Sequence, residues 1–222
     1  MSDTEITFDS GDVTLHGSLR IPDGATNAPA ALILAGSGPT DRNGDSALLA
    51  GDIGTLRHIA DVLEENGFAS LRYDKLGSGQ TALGPYEVDD IADLGFNTFV
   101  DAASAGLDFL GAQDAVDASK IVVIGHSDGA LVAMALATAD DKPRVHGLGL
   151  LEPLSIRLLD LLTTQIHAQL DAVVAGNQLP VEVADELRLA LAGAVESLRA
   201  DGTISDDLPE PLQNAGLVNA NA

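Results

Sequence analysis

Gly125-His126-Ser127-Asp128-Gly129 carries the plainest chemistry in this sequence. Four branched apolar residues, Ile121 to Ile124, run into it, and an Ala-rich apolar segment follows from Ala130. The pattern predicts a buried strand, a tight turn and the start of a helix, with G-x-S-x-G at the junction. A serine on such a turn projects its hydroxyl above the sheet, where it can act as a nucleophile. Gly125 and Gly129 remove the side chains that would collide where strand and helix cross. The first N–H groups of the helix and its positive dipole end then point at the place where negative charge would develop.

The elements that must hold this turn follow from the apolar pattern. Thr4 to Phe8 and Val13 to Arg20 alternate polar and apolar around Ser10-Gly11-Asp12, as an antiparallel hairpin with one wet face does. Ala30 to Ala35 is continuously apolar, which predicts a strand covered on both faces, and it stops at Gly36-Ser37-Gly38-Pro39. Leu56, Ile59, Ala60, Leu63 and Phe68 recur at helical spacing up to Asn66-Gly67. Ala69 to Tyr73 is a short strand entering the Gly-rich loop Asp74 to Gly79. Asp89 to Leu110 is a helix, Ser127 to about Ala139 another, and Val145 to Leu151 a strand. This order predicts a mostly parallel α/β sheet with helices on both faces. Beyond it, Leu154 to Val174 and Val181 to Leu198 read as two amphipathic helices separated by Gly176 to Pro180. Asp201 to Ala222 is polar and turn-rich and is expected to be poorly ordered.

A chain of 222 residues with 45% hydrophobic content can bury one sizeable core, and 3% aromatic content makes that core Leu, Val, Ile and Ala. The net charge of -23, from 34 acidic and 11 basic residues, argues against nucleic acid or anionic membrane as a partner. The absence of cysteine excludes disulfides and thiolate chemistry. The polar start MSDTEITFDSGD is not a signal peptide, and no uncharged apolar run reaches the length of a membrane span, so a cytoplasmic location is expected.

Three loops fall together at the C-terminal ends of the parallel strands: AGSGPTDRNG, YDKLGSG and GHSDGA. Together they resemble the α/β-hydrolase superfamily, in its branch of small bacterial carboxylesterases and serine aminopeptidase-like hydrolases, over about Thr4 to Leu151. The resemblance implies one core over residues 1–151, a helical lid segment over 152–200 and an irregular tail over 201–222. It implies Ser127 as catalytic nucleophile on a carboxylic ester, through an acyl-enzyme that water then releases. The backbone N–H groups of Ser37 and Asp128 would form the oxyanion hole, and Gly125 and Gly129 the glycines of the nucleophile elbow. No metal or organic cofactor is implied. The partner is a small-molecule ester, with self-association through the lid helices or an exposed sheet edge as a further expectation.

The family order runs serine, acid, histidine. His146 stands at the start of its strand, the wrong end of a parallel sheet for the site. His167, between Ile166 and Ala168, reads as a lid-helix or surface histidine rather than as a base. Glu152 stands at the correct end of its strand and could orient a histidine, or be an ordinary carboxylate before Pro153. Two later strands of the fold, with their acid and histidine, cannot be found before Ala222, so the chain reads as C-terminally truncated. The competing reading is therefore a catalytically incompetent fragment or pseudo-hydrolase that binds a small acyl ligand or a partner. Asp41-x-Asn43-x-Asp45 with Asp52 faintly matches a calcium loop, but Ser46 replaces the expected glycine and turn chemistry is the simpler reading. Gly77 to Thr81 lacks the lysine of a phosphate loop, having Gln80 there. Asp74 reads as a structural cap of its turn.

Overall fold

The computed structural model describes residues 3–46, 51–86, 94–139, 145–205 and 207–213. Two compact units are present: residues 1–88 with 96–154, and residues 89–95 with 155–222.

The first unit is built on six strands: β1 (Thr4–Ser10), β2 (Val13–Arg20), β3 (Ala28–Leu34), β4 (Ala69–Tyr73), β5 (Val116–His126) and β6 (Gly147–Leu151). They lie in the order β1-β2-β4-β3-β5-β6. β1 pairs antiparallel with β2, and β2 antiparallel with β4. The pairs β3–β4, β3–β5 and β5–β6 are parallel. Three helices cover this sheet: α1 (Thr55–Glu65), α2 (Phe96–Gly111) and α3 (Asp128–Thr138).

Strand alternation decides which helix each residue meets. Ala31 and Ile33 of β3 pack with Val122 and Ile124 of β5 against Leu56 and Ala60 of α1. Leu32 points the other way, towards Gly106 of α2, where an added Cβ would lie 3.3 Å from Phe8 and 3.4 Å from Leu32. Both faces of β3 are therefore dry, as its unbroken apolar run requires, and Ala30 to Leu34 are all buried.

Register puts the site loops at one edge. Leu34 pairs with Gly125, His126 with Leu151, and Ile33 with Arg72. The segments after β3, β4, β5 and β6 therefore leave the sheet on the same side. Asp74, 1% exposed, ties two of them together. Its carboxylate accepts hydrogen bonds from the Arg42 backbone N–H at 2.7 Å, Arg42 Nε at 3.1 Å and the Gln80 N–H at 2.8 Å. Arg42 also meets Glu5 at 2.6 Å, which draws β1 into the same network. Gly79 leaves room for this, since a Cβ there would fall 2.3 Å from the Asp74 carboxylate.

The second unit contains α4 (Leu158–Ala175), α5 (Val181–Asp201) and the short α6 (Glu210–Leu212). Ile166, Leu170, Leu187 and Leu191 form its core together with Leu208 and Leu212. Arg188 pairs with Asp171 at 2.5 Å, and Arg199 pairs with Asp160, so α4 and α5 are joined by charge as well.

Several boundaries differ from the pattern-based expectation. β5 begins at Val116 rather than Ile121, because Val116 pairs with Ala28 ahead of an irregularity that exposes Ala118, Ser119 and Lys120. β6 begins at Gly147; the His146 N–H still donates to the Ile121 carbonyl at 2.8 Å. α4 starts four residues late: Glu152 takes φ +48° before Pro153, and Arg157, the residue before the helix, is still extended. Of the helix expected from Asp89, residues 89–93 lie outside the described residues and α2 starts at Phe96. The stretch from Asp201, expected to be irregular, buries Leu208 and Leu212; residues 214–222 lie outside the described residues.

Asp74→Asn removes the buried counter-charge of the Arg42 guanidinium and leaves it only the more exposed Glu5. Removing one partner of a buried ion pair costs roughly 3–5 kcal/mol. A urea-unfolding midpoint lowered to that extent is expected, whereas a change below about 1 kcal/mol would place Asp74 among ordinary surface carboxylates.

Candidate active site

Ser127 lies between β5 and α3 with φ +53° and ψ −115°, a backbone region that residues other than glycine rarely occupy. Its N–H donates to the Leu151 carbonyl at 2.9 Å, and its carbonyl accepts from Ala130 N–H at 3.0 Å. Its hydroxyl makes no capping hydrogen bond to α3. The glycines on either side have a steric reason. A Cβ on Gly125 would stand 2.1 Å from the Gly129 carbonyl oxygen, and a Cβ on Gly129 would stand 2.6 Å from that of Ala35. Gly36 is crowded to a lesser degree, with an added Cβ 3.1 Å from His126 Nδ1 and 3.3 Å from Ser127 Cβ. The loop after β3 thus lies directly against the elbow.

Two cavities flank this contact. The larger, about 190 Å³, is lined by Ser127, His126, Gly36, Ser37, Ile53 and Leu56 among others. The smaller, about 20 Å³, lies among Lys75, Asp128, Tyr73, Phe99, Leu34 and Val132. Ser127 and Asp128 are half-buried, Gly36 is buried and Ser37 is exposed. Asp128 is the first residue of α3, so its N–H is one of the helix's unpaired donors.

The Lys75 ammonium donates to the Gly36 carbonyl oxygen. Burial pushes this lysine down to about 8, and the Asp128 carboxylate partly opposes the shift. Burial also pushes the Tyr73 phenol up.

The structure brings Ser127, Ser37, Asp128, Gly125 and Gly129 to one place. Glu152 stands at the end of β6 with its Oε2 3.7 Å from His126 Nε2. The carboxylate at the strand end therefore does face a histidine, and that histidine is the residue preceding the serine. His146 is at the opposite end of its strand, and His167 lies half-buried on α4 in the second unit. Asp41 and Asp45 serve the backbone of their own loop. Asp41 accepts from the N–H groups of Asn43 at 2.8 Å and Asp45 at 3.0 Å, and Asp45 accepts from Ile53 at 2.6 Å and Gly54 at 2.7 Å. Among the described residues no group of three His, Asp or Glu side chains is placed to hold a metal ion. No described helix is long and apolar enough to cross a membrane.

Sequence reasoning passed over Lys75, which stands between a buried strand and a Gly-rich loop. Its signal was a cation directly after the buried Asp74, at a strand's C-terminal end. It also passed over the pairing of Arg42 with Asp74 and the interior positions of Arg20 and Arg72.

A parallel sheet flanked by helices, with a strained serine between β5 and α3 and a glycine loop packed on it, defines the α/β-hydrolase fold. The sequence profile of the family described as serine aminopeptidase, S33, matches residues 49–187, and the chain belongs to that family. Comparison with curated proteins finds no match. Solved structures share the fold. Proline iminopeptidase from Mycobacterium smegmatis matches with a TM-score of 0.56 at 21% identity, over 89% of this chain and 56% of its own. Est1E from Butyrivibrio proteoclasticus, solved with ferulic acid bound, matches with a TM-score of 0.54 at 23% identity, over 72% of this chain and 56% of its own. A putative α/β hydrolase from Agrobacterium tumefaciens matches with a TM-score of 0.52 at 22% identity, over 68% of this chain and 60% of its own. The matched parts thus span little more than half the length of these neighbours.

Gly125→Ala drives a methyl group into the Gly129 carbonyl at 2.1 Å, where both contacting groups are backbone. The expected loss of stability exceeds the roughly 1–3 kcal/mol of ordinary overpacking. Gly193→Ala is the control, because an added Cβ there meets nothing within 4 Å and the residue lies inside α5. Chemical denaturation of the two variants should separate them; equal midpoints would contradict the close crossing of β5 and α3.

Proposed function

We propose that this protein is a serine hydrolase that cleaves small carboxylic esters through an acyl-enzyme on Ser127. The observation that carries the reading is the Ser127 backbone, held at φ +53° with its hydroxyl uncommitted to the helix it precedes. In the reaction, Ser127 Oγ bonds to the ester carbonyl carbon and loses its proton to a base. The carbonyl oxygen gains negative charge and accepts hydrogen bonds from the N–H groups of Ser37 and Asp128. The C–O bond to the alcohol breaks, the alcohol leaves with the proton, and water then hydrolyses the acyl-serine. Each oxyanion donor contributes roughly 3–4 kcal/mol of transition-state stabilisation in a serine hydrolase.

An ester fits the larger cavity better than a peptide amine. An aminopeptidase needs a carboxylate to hold the substrate's ammonium group, and no Asp or Glu is among the described residues lining the 190 Å³ cavity beside Ser127. Ile53 and Leu56 offer an apolar wall to a short acyl or alcohol group. Est1E, solved with ferulic acid bound, and a proline iminopeptidase both share this fold, so the fold alone does not choose the substrate.

A second reading has its own support. His126 is the histidine lining that cavity among the described residues, and its Nε2 faces Glu152 rather than a separate proton relay. On that reading the protein binds an acyl ligand without turning it over.

Intact-mass analysis after treatment with a fluorophosphonate probe separates the two. A single adduct on the wild type and none on Ser127→Ala is the expected outcome. A folded wild type that takes no adduct would overturn the hydrolase reading in favour of the binding protein. Residual turnover alone does not decide, because a serine protease lacking one triad member still retains roughly 10³–10⁴-fold catalysis over water.

A further inference from the structure

Lys75 follows β4 and reaches across to the loop after β3, where its ammonium holds the Gly36 carbonyl oxygen. That carbonyl belongs to the peptide group whose other end is the Ser37 N–H. We infer that Lys75 is a positioning residue for the oxyanion hole: by fixing the Gly36 oxygen it aims the Ser37 N–H. This inference rests on the serine-hydrolase reading of Ser127.

Three features of the structure support it. The first is geometric. A trans peptide is planar, with its C=O and N–H directed oppositely, so an anchored oxygen turns the hydrogen away from the anchor. Lys75 lines the smaller cavity, whereas Ser37 and Ser127 line the larger one, which Lys75 does not reach. The peptide from Gly36 to Ser37 thus has a cation at its oxygen, and its hydrogen points away from that cation.

The second feature is electrostatic. A charged donor makes a stronger hydrogen bond than a neutral one. It also polarises the peptide group, which makes the N–H at the far end a better donor. The same ammonium is attracted to the carboxylate of Asp128, whose backbone N–H is the other donor of the hole. One side chain therefore acts on both residues that would receive the oxyanion.

The third feature is cost. The smaller cavity has Leu34, Phe99 and Val132 in its wall, and an unbranched apolar side chain would fill that space without a charge to desolvate. Burial lowers the pKa of Lys75 to about 8, so keeping the charge at neutral pH weakens the fold. The sign follows from linkage: the folded chain releases the proton near pH 8 and the unfolded chain only near 10.5, so this group's penalty is full below pH 8 and relieved above 10.5. The same titration gives the hole a pH dependence, with an ordered donor while the ammonium is charged and a weakened one once it is neutral.

Among the described residues, few groups face Lys75. Asp128 approaches from α3, and Tyr73 from β4 has a phenol that burial keeps protonated. Phe99 comes from α2 and is apolar. His126 approaches Gly36 from the end of β5.

The test is the second-order rate of Ser127 labelling by the fluorophosphonate probe between pH 6 and pH 10. Wild type, Lys75→Met and Lys75→Arg are compared, with Ser127→Ala as background. Outright loss of an oxyanion donor costs roughly 10²–10³-fold in rate, so loss of its orientation should slow Lys75→Met by about 10- to 100-fold at pH 7. The wild-type rate should fall as pH rises through about 8. That fall should be absent from Lys75→Met, and in Lys75→Arg, whose cation persists, it should move beyond the range. Circular dichroism should show Lys75→Met folded at pH 7. Equal rates for wild type and Lys75→Met would overturn the inference. So would an unchanged alkaline fall in Lys75→Met, which would show that the titrating group is not Lys75. A wild type that labels no faster than Ser127→Ala would overturn the hydrolase reading as well, which distinguishes that failure from failure of the Lys75 assignment alone.

Discussion

The crossing of β5 over the start of α3 is the constraint on which the rest of the site depends. Gly125 and Gly129 approach so closely that a single methyl group on Gly125 would lie 2.1 Å from backbone. This approach forces the chain between them into the φ +53° conformation of Ser127, at a strain of about 1–3 kcal/mol. The strain persists because its surroundings over-determine it. The parallel ladder to β3 fixes Gly125 opposite Leu34, and the ladder to β6 fixes His126 opposite Leu151. The Leu151 carbonyl then takes the Ser127 N–H at 2.9 Å. β6 is thus part of the site without contributing a side chain to it. Gly36 adds to the constraint from the β3 side, since a Cβ there would crowd His126 and Ser127 at 3.1–3.3 Å.

Charge inside the first unit complements this backbone framework. The sequence holds only 11 basic residues against 34 acidic ones, yet Arg20, Arg42 and Arg72 are all buried. Arg72, with no exposed surface, meets Asp3 at 2.5 Å and Asn43 at 3.2 Å. Arg20 meets Asp3 at 2.8 Å and Glu64 at 3.3 Å and also pairs with Asp61. Arg42 joins Glu5 to Asp74. These guanidinium groups link β1, β2, β4, α1 and the loop after β3, much as an apolar core would, but with direction.

The parts of the molecule legible in the sequence are those set by local rules. G-x-S-x-G names a backbone crossing that only glycine permits, so Ser127 and its neighbours could be placed without coordinates. β3 could be read because a strand covered on both faces has no polar alternation to obscure it. The hidden parts depend on partners distant in sequence. The first residues of β5 look like a polar turn, and only the pairing of Val116 with Ala28 makes them strand. Leu208 and Leu212 look like a loose tail until α4 and α5 offer a core to close. Arg72 within ASLRY resembles a solvent-facing residue, but it has no exposed surface, and nothing local announces Asp3, 69 residues away, as its counter-charge. Lys75 was illegible for the same reason, because a cation after a strand is ordinary and its meaning lies in a carbonyl 39 residues earlier.

The placement of that cation has a consequence for how such a site works. An ammonium inside the larger cavity would stabilise an oxyanion, but it would also bind the carboxylate product and hold it after hydrolysis. Interactions that favour ground state or product as much as the transition state do not raise turnover. Behind the peptide from Gly36 to Ser37, the same charge acts through an oriented dipole. In the proposed reaction the dipole presents a single hydrogen to the carbonyl oxygen as it gains charge, and offers no site for a free carboxylate to form an ion pair. Preorganised donors of this kind need no rearrangement as the reaction proceeds. The cost is moved to folding, where burial of Lys75 is borne by the sheet and by the contacts that already constrain Ser127. If Ser127 works as proposed, a cation kept out of the pocket but in contact with its wall reconciles a polarised oxyanion hole with easy release of an acidic product.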